Sequence, residues 1–375
     1  MIVLEVLPAI EQGGAQLSAV ETVGAIRDAG GSALVASGGG RMEEAFAAAG
    51  ARHIRLALDT RNPFLILRNA ARLAALVRAE RVGLLHAHSR AVAWSALVAT
   101  RRTRIPFVTT WHGAYGENFP FKRRYNSIMA AGDRVIAVSR FIAREIVLRH
   151  PDAAPRMRII PPGVDPVRFD PAAVTPERSR ALARNWRLPA GKPVVMLAAR
   201  LARWKGQSVL LEALARIADP APIVVFVGPL AGRDRYVSEL QSLARRLGIA
   251  ERTYFPGGTD DMPAALTLAD VVVNASTEPE AFGRIIIEAQ AMAHPVIAAD
   301  HGAAAETVLA GETGWRVPPG DAEALAAALE RYFALAPEQR AAIGAAARAF
   351  AVRSFNLAAM QEATIAVYRE FLGAL

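Results

Sequence analysis

Cysteine is absent from the 375 residues, which removes a disulfide framework, a thiolate metal centre and a cysteine nucleophile together. Lysine is scarce: Lys122, Lys192 and Lys205 are the only three among 44 basic residues. Arginine therefore carries almost all of the formal charge of +9. With alanine abundant throughout, this reads as a coding bias rather than a local electrostatic design. No basic stripe with interleaved aromatics, zinc-finger spacing or recognition-helix pattern is present, so nucleic acid is not an expected partner. Also missing is any apolar run near the ~20 residues needed to span a bilayer. The segment Met1-Ile2-Val3-Leu4-Glu5-Val6-Leu7 lacks the basic region and cleavage site of a signal peptide and reads as a first β-strand. These absences suit a reducing cytoplasm.

What is present describes a well-cored chain: 53% hydrophobic and 21% charged residues, against the low apolar content of disordered chains. The length accommodates two α/β domains of ordinary size or one large one. The excess positive charge fits a phosphate-bearing ligand or an anionic membrane surface.

Short β-branched runs alternate with amphipathic stretches. Strands are predicted over 2–7, 33–36, 52–56, 83–86, 107–110 and 134–138, with helices over 15–29, 64–81, 91–101 and 140–150 between them. A Pro- and Gly-rich segment, 159–166, closes this series. A second series predicts strands over 194–198, 223–227, 253–255, 271–274 and 296–299, with helices over 206–217, 236–247, 284–292 and 322–333. Amphipathic helices follow over 338–350 and 357–375. Strict alternation argues for parallel sheets covered on both faces. The expected fold is α/β, with two Rossmann-like doubly wound domains facing across a cleft. Residues 1–168 form the first domain, 169–356 the second, and 357–375 a helix packing back on the first. Ligands in such sheets bind at the carboxyl ends of the strands.

The strongest local signal is Asn274-Ala275-Ser276-Thr277-Glu278-Pro279-Glu280-Ala281-Phe282-Gly283-Arg284, running through to Glu288. A strand ends in a turn-rich loop and a helix starts near Phe282. Eight residues at about 100° each bring Glu280 and Glu288 within about 80° of one face, were the helix to reach back that far. The amides of Phe282, Gly283 and Arg284 then point at sugar hydroxyls or phosphate oxygens. Taken alone, the carboxylates read as a helix-dipole partner and a solvated face residue.

With its flanks, the pair resembles the E-x7-E motif of glycosyltransferase family 4, retaining enzymes of the GT-B fold. The flanks are Asp270-Val271-Val272-Val273 before it and Ala289-Gln290-Ala291-Met292-Ala293-His294-Pro295-Val296 after it. Gly302, Glu306 and Gly311-Glu312-Thr313-Gly314-Trp315 follow in order. The resemblance implies that Glu288 holds the donor ribose, a carboxylate accepting from two adjacent hydroxyls. It implies that Glu280 sits beside the transferred sugar, with the Phe282, Gly283 and Arg284 amides on its hydroxyls and the diphosphate. Arg200 and Lys205, at a strand-to-helix junction, would hold the diphosphate and stabilise the charge of the leaving group where other enzymes use Mg²⁺. Gly13 and Gly14 match a Gly-Gly loop on donor phosphate and acceptor, although Gln16 replaces the acidic residue that follows it in the family. His112, in Thr110-Trp111-His112-Gly113, matches a contact near the reacting carbon.

His86 and His88 lie on one side of a strand, a spacing open to metal binding, but no third ligand is evident nearby. His88 is therefore read as an acceptor-side contact and His86 as structural. Ser139 is a helix N-cap candidate. Phe119-Pro120-Phe121-Lys122-Arg123-Arg124-Tyr125, with Arg61 and Arg68, mixes rings and cations; it is either an acceptor and membrane patch or a solvated helix end. Lys122 and Arg123 are its acceptor-side candidates. Glu306 has a weaker match, in a loop Gly302-Ala303-Ala304-Ala305-Glu306 where the family usually has Gly-Gly.

The resemblance implies a retaining, metal-independent hexosyltransferase with no cofactor beyond its nucleotide diphosphate sugar donor. Its acceptor would be a cell-envelope glycan or glycolipid of lipopolysaccharide or capsule type, reached at the cytoplasmic face of the inner membrane. A nucleotide-sugar epimerase or phosphorylase of the same fold, and a non-catalytic nucleotide-sugar binder, are the alternatives.

Overall fold

The computed structural model describes residues 2–117 and 121–373. Up to Gly163 the elements are β1 (Ile2–Val6), α1 (Gly14–Asp28), β2 (Ser32–Ser37), α2 (Glu43–Ala49), β3 (Ala51–Arg55), α3 (Pro63–Ala79) and β4 (Leu84–Ala87). They continue with α4 (Arg90–Thr103), β5 (Phe107–Trp111), α5 (Lys122–Asn126), β6 (Arg134–Ala137), α6 (Arg140–Arg149) and β7 (Met157–Ile159). Then come α7 (Pro176–Asn185), β8 (Val194–Ala198), α8 (Gln207–Leu214), β9 (Ile223–Val227), α9 (Asp234–Arg246), β10 (Thr253–Gly257) and α10 (Met262–Thr267). Last are β11 (Val271–Asn274), α11 (Arg284–Ala291), β12 (Val296–Ala299), α12 (Ala304–Thr307), β13 (Gly314–Val317), α13 (Ala322–Ala334), α14 (Pro337–Ser354) and α15 (Leu357–Leu372).

The chain divides into two compact units, one running to Gly163 and taking in Leu357 onward, the other Val164–Asn356. The first boundary therefore falls before the expected 168. Val164 already belongs to the second unit, because its N–H donates to Phe355 O at 2.7 Å and it bridges Asn356. The first unit holds a parallel seven-stranded sheet in the order β3-β2-β1-β4-β5-β6-β7, and the second a parallel six-stranded sheet, β10-β9-β8-β11-β12-β13. Both are doubly wound.

Central strands are buried on both faces, as parallel sheets require; Val194–Ala198, Ile223–Val227 and Val271–Asn274 are buried throughout. In the first unit Val3, Leu7, Ile26, Val35 and Leu84 form a core that Ile365 and Tyr368 of α15 complete. Gln361 ties α15 to α1 by donating from Nε2 to Glu21 O at 3.0 Å. In the second unit Val195, Phe226, Val273 and Ile297 pack with α8 and α13 residues Leu210, Leu211, Leu325 and Leu329. Seven elements fall outside the predicted ranges: the helices α2, α5, α7, α10 and α12 and the strands β7 and β13. The two strands are sheet edges, and their sequences, Met157-Arg158-Ile159 and Gly314-Trp315-Arg316-Val317, lack a long apolar run.

Strand order reverses between β1 and β4 in one sheet and between β8 and β11 in the other. At such a switch point the two following loops diverge and leave a crevice beyond the carboxyl ends. The loops after β8 and β11, and the residues where β1 and β4 end, are thus the places to look for chemistry.

The helix α11, which carries Glu288, is supported by α14. A Cβ added to Gly344 of α14 would lie 2.2 Å from Ala293 O, and Arg348 Nη1 donates to Ala291 O. Alanine normally stabilises a helix relative to glycine by about 0.5–1 kcal/mol. Gly344→Ala should instead destabilise by about 1–3 kcal/mol through overpacking. Gly24→Ala in α1, where the nearest atom would be Gln361 Nε2 at 3.8 Å, should keep the usual sign. Urea unfolding midpoints check both.

Candidate active site

In the second unit two loops are locked together by backbone contact. After β8 the chain makes a 3-10 turn, Arg203–Lys205, and reverses at Gly206, whose φ of 72° is left-handed. A Cβ at Gly206 would fall 1.8 Å from Ala275 O, so only glycine lets this turn sit against the end of β11. Thr277 N–H donates to Trp204 O at 2.7 Å, fastening the same loops one step further out. The Lys205 ammonium is 4.1 Å from the centre of the Trp204 ring, a cation–π contact.

This docking brings Lys205 Nζ onto Glu280 Oε1 as a charge-assisted pair, with side chains only 16% and 13% exposed. Ser276 Oγ donates to the same oxygen at 2.6 Å. The Glu280 backbone is held from the other side. Ala303 N–H donates to Glu280 O at 3.0 Å, and a Cβ at Gly302 (φ 61°) would lie 2.3 Å from that oxygen.

The helix after Glu280 starts where the predicted range 284–292 begins and does not reach back to Phe282. Gly283 is left-handed (φ 84°) and caps α11, which begins at Arg284. The shared-face argument for Glu280 and Glu288 therefore fails; the loop, not helical periodicity, places Glu280. Glu288 is a buried residue, not a solvated one, with Arg284 Nε 3.6 Å from its Oε1. The Phe282 ring is turned into the core, edge-on to Phe355 at 5.3 Å, and the residue as a whole is buried. Arg200 is exposed beyond β8, and its carbonyl accepts from Gln207 Nε2 at 3.1 Å.

In the first unit Gly13 is extended (φ 178°) and Gly14 opens α1, so neither conformation demands glycine. A Cβ at Gly13 would meet the Gln16 Oε1 at 2.6 Å, and Gln16 Nε2 donates to Ala9 O at 3.2 Å. Gln16 thus folds back over the loop. His112 follows β5 and places Nε2 2.9 Å from His88 Nδ1.

A third group does stand beside the two histidines. Register pairs Glu5 of β1 with His86 of β4. His88 Nε2 lies 2.5 Å from Glu5 Oε2, and the Tyr368 hydroxyl donates to Glu5 Oε1 at 2.8 Å. His86 Nδ1 is 2.7 Å from the Tyr368 oxygen and His86 Nε2 2.7 Å from Thr110 Oγ1. The Glu5, His86 and His88 atoms lie within 4.8 Å of one another, close enough for a metal ion, yet each is already engaged with a protein group. Burial raises the pKa of Glu5; the neighbouring His86 and His88 outweigh it and hold the carboxyl well below the usual range. Burial, with His86 alongside, lowers His88 against the opposing pull of Glu5. His88 is therefore a buried link between Glu5 and His112 rather than a surface contact.

Lys122 and Arg123 open α5, with Arg123 exposed and donating from Nη2 to Arg149 O at 2.8 Å. Phe119 and Pro120 of the same predicted patch lie outside the described residues. Ser139 caps α6, accepting from Ile142 N–H at 3.0 Å.

Two family profiles match: Glycosyltransferase Family 4 over residues 12–168 and Glycosyl transferases group 1 over 179–350. A D-inositol 3-phosphate glycosyltransferase from Saccharomonospora viridis is 34% identical over 317 residues, 78% of this chain and 70% of that one. A GDP-mannose-dependent alpha-(1-6)-phosphatidylinositol monomannoside mannosyltransferase from Mycolicibacterium smegmatis is 34% identical over 209 residues; the match spans about half of each protein, 52%. Among solved structures, a glycosyltransferase from Rickettsia africae superposes with a TM-score of 0.91 at 32% identity, covering 100% of this chain and 99% of that one. Anabaena HepE, solved with UDP and glucose, gives 0.85 at 27% identity, with coverage of 100% and 99%.

Gly206→Ala should unseat the lysine loop and lower stability by about 1–3 kcal/mol. Gly232→Ala, equally left-handed (φ 70°) but with open space around it, should cost about 1 kcal/mol from backbone strain alone. Comparing the two urea midpoints separates the clash from the strain.

Proposed function

Because this chain belongs to glycosyltransferase family 4, we propose that it is a retaining enzyme transferring a hexose from a nucleotide diphosphate sugar to a phosphate-bearing cell-envelope glycan or glycolipid, without a metal. The observation that carries the reading is the partly buried Lys205–Glu280 pair at the β8/β11 switch point, with Glu288 in α11, four residues after Arg284 opens the helix. Glu288 accepts from the two ribose hydroxyls. Lys205 and Arg200 hold the diphosphate, whose charge grows as it leaves. Glu280 and the amides of Phe282, Gly283 and Arg284 meet the sugar.

The reaction is front-face substitution. An acceptor hydroxyl oxygen forms the new bond to the anomeric carbon while the bond from that carbon to the β-phosphate oxygen breaks. The departing phosphate oxygen takes the hydroxyl proton, and the fixed cations stabilise the resulting nucleoside diphosphate. His112, in the first unit, contacts the transferred sugar.

The relatives' names favour a second acceptor reading, since those described as acting on inositol 3-phosphate or a phosphatidylinositol mannoside point to a phosphorylated inositol. Lipopolysaccharide, capsule and inositol acceptors share phosphate, which the first unit can meet with arginine. The membrane reading rests on Phe64, 81% exposed, and Phe121, 82% exposed. Arg61, exposed at the start of α3, stands 5.6 Å from the Tyr125 ring of α5, which brings these cations and rings to one neighbourhood. No helix among the described residues is long and apolar enough to cross a membrane; the attachment proposed is peripheral, on the cytoplasmic face of the inner membrane.

NMR of the first-formed product should give the donor's anomeric configuration; an inverted centre removes the mechanism. Glu288→Ala should lower kcat/KM by roughly tenfold to a hundredfold, mostly through donor KM, as expected for losing hydrogen bonds to a charged group. Product formed without acceptor would favour an epimerase, and donor binding with no turnover a binding protein. Sedimentation with liposomes should increase as anionic lipid is added; no increase removes the membrane reading. A thermal-shift screen of UDP, GDP and ADP sugars identifies the donor.

A further inference from the structure

A carboxylate in the middle of a fully buried parallel strand is costly unless it is paired, and Glu5 is 0% exposed. No donor-site role in the second unit accounts for it. Its neighbours do, and they impose a direction. An ionised carboxylate only accepts hydrogen bonds, so the His88 nitrogen at 2.5 Å and the Tyr368 hydroxyl at 2.8 Å must both donate to it. His88 then carries its proton on Nε2, which leaves Nδ1 as an acceptor in the neutral ring. The group 2.9 Å from that acceptor is Nε2 of His112, which must be the donor.

We propose that Glu5 and His88 are positioning residues that fix His112 as the Nε2–H tautomer and hold its ring at the end of β5. The proposal rests on the reading that His112 meets the transferred sugar. The chain runs from the buried core outward: Glu5 of β1, His88 just past β4, His112 just past β5. Each step crosses to a neighbouring strand or strand end, so the sheet itself sets the spacing. The β1–β4 register places Glu5 opposite His86, and His88, two residues on, points to the same face. Tyr368 closes the network from α15 and fixes which oxygen of Glu5 remains for His88. Its hydroxyl takes Oε1, leaving Oε2 for the histidine. A carboxylate holding one nitrogen of a histidine so that the other has a defined role is a general device for orienting imidazoles.

The experiment is long-range ¹H–¹⁵N NMR on the full chain labelled with ¹⁵N-histidine, read alongside steady-state transfer. Wild-type protein should show His112 as the neutral Nε2–H tautomer. Glu5→Gln keeps a carbonyl oxygen to accept from His88 and should retain that tautomer and most of the transfer rate. Glu5→Leu removes the acceptor, so His112 should become a tautomer mixture and kcat fall about tenfold or more, with nucleoside diphosphate affinity unchanged. Tyr368→Phe leaves the Glu5–His88 link and should keep the His112 signal. An Nδ1–H signal for His112 in the wild type overturns the proposal, and that measurement needs no variant to fold. A His112 signal unchanged in Glu5→Leu, or an altered signal with an unchanged kcat, overturns it as well. Should the wild type transfer no sugar, the functional reading fails, while the tautomer result still decides whether Glu5 and His88 set His112.

Discussion

The close backbone approach at Gly206 governs the second unit. Where a side chain would collide with the Ala275 carbonyl, the loop after β8 instead lies directly on the end of β11. That contact places the ammonium of Lys205 against the carboxylate of Glu280, and Gly302 repeats the device on the far side of Glu280. Two opposite charges, each less than one-fifth exposed, are thereby held beyond the carboxyl ends of strands at the point where strand order reverses. Leaving either one buried alone would cost several kcal/mol. The pair therefore forms in the absence of substrate, and on the proposed function a diphosphate would compete with Glu280 for the lysine.

Much of this was legible in the sequence where local chemistry acts alone. The Val- and Ile-rich runs 194–198, 223–227, 271–274 and 296–299 match their strands end to end, because a strand buried on both faces has to be apolar throughout. Glu280, Glu288, Arg200 and Lys205 stood out because motif order carries information that no single residue does. The range 284–292 placed the start of α11, but whether the helix reached back towards Glu280 was not legible, because a left-handed glycine can end a loop as readily as enter a helix. Only the structure distinguishes the two. Edge strands β7 and β13, with one neighbour each, need little apolar sequence and gave little signal.

The histidine network shows where reading along the chain stops. Glu5, His88, His112 and Tyr368 are spread over more than 360 residues and meet only through strand register and the return of α15 to the first unit. One signal was available: a carboxylate inside the apolar run Ile2–Val6. A strand destined to be buried on both faces cannot keep such a group without donors, so Glu5 itself announced partners whose identity required the sheet. Ser276, inside the motif yet unassigned by it, was missed because its role lies in a hydrogen bond to Glu280 that sequence spacing does not encode.

The central claim is that Lys205, shared with Glu280 in the free protein, is the diphosphate-binding cation. Calorimetric titration with the nucleoside diphosphate alone, lacking the sugar that Glu280 would touch, tests it most directly. Lys205→Ala should weaken binding by about tenfold or more, the loss of one charge-assisted hydrogen bond, whereas Glu280→Gln, which releases the ammonium while keeping an acceptor for Ser276, should tighten it. Unchanged affinity in Lys205→Ala, or weakening of equal size in both variants, would contradict the account.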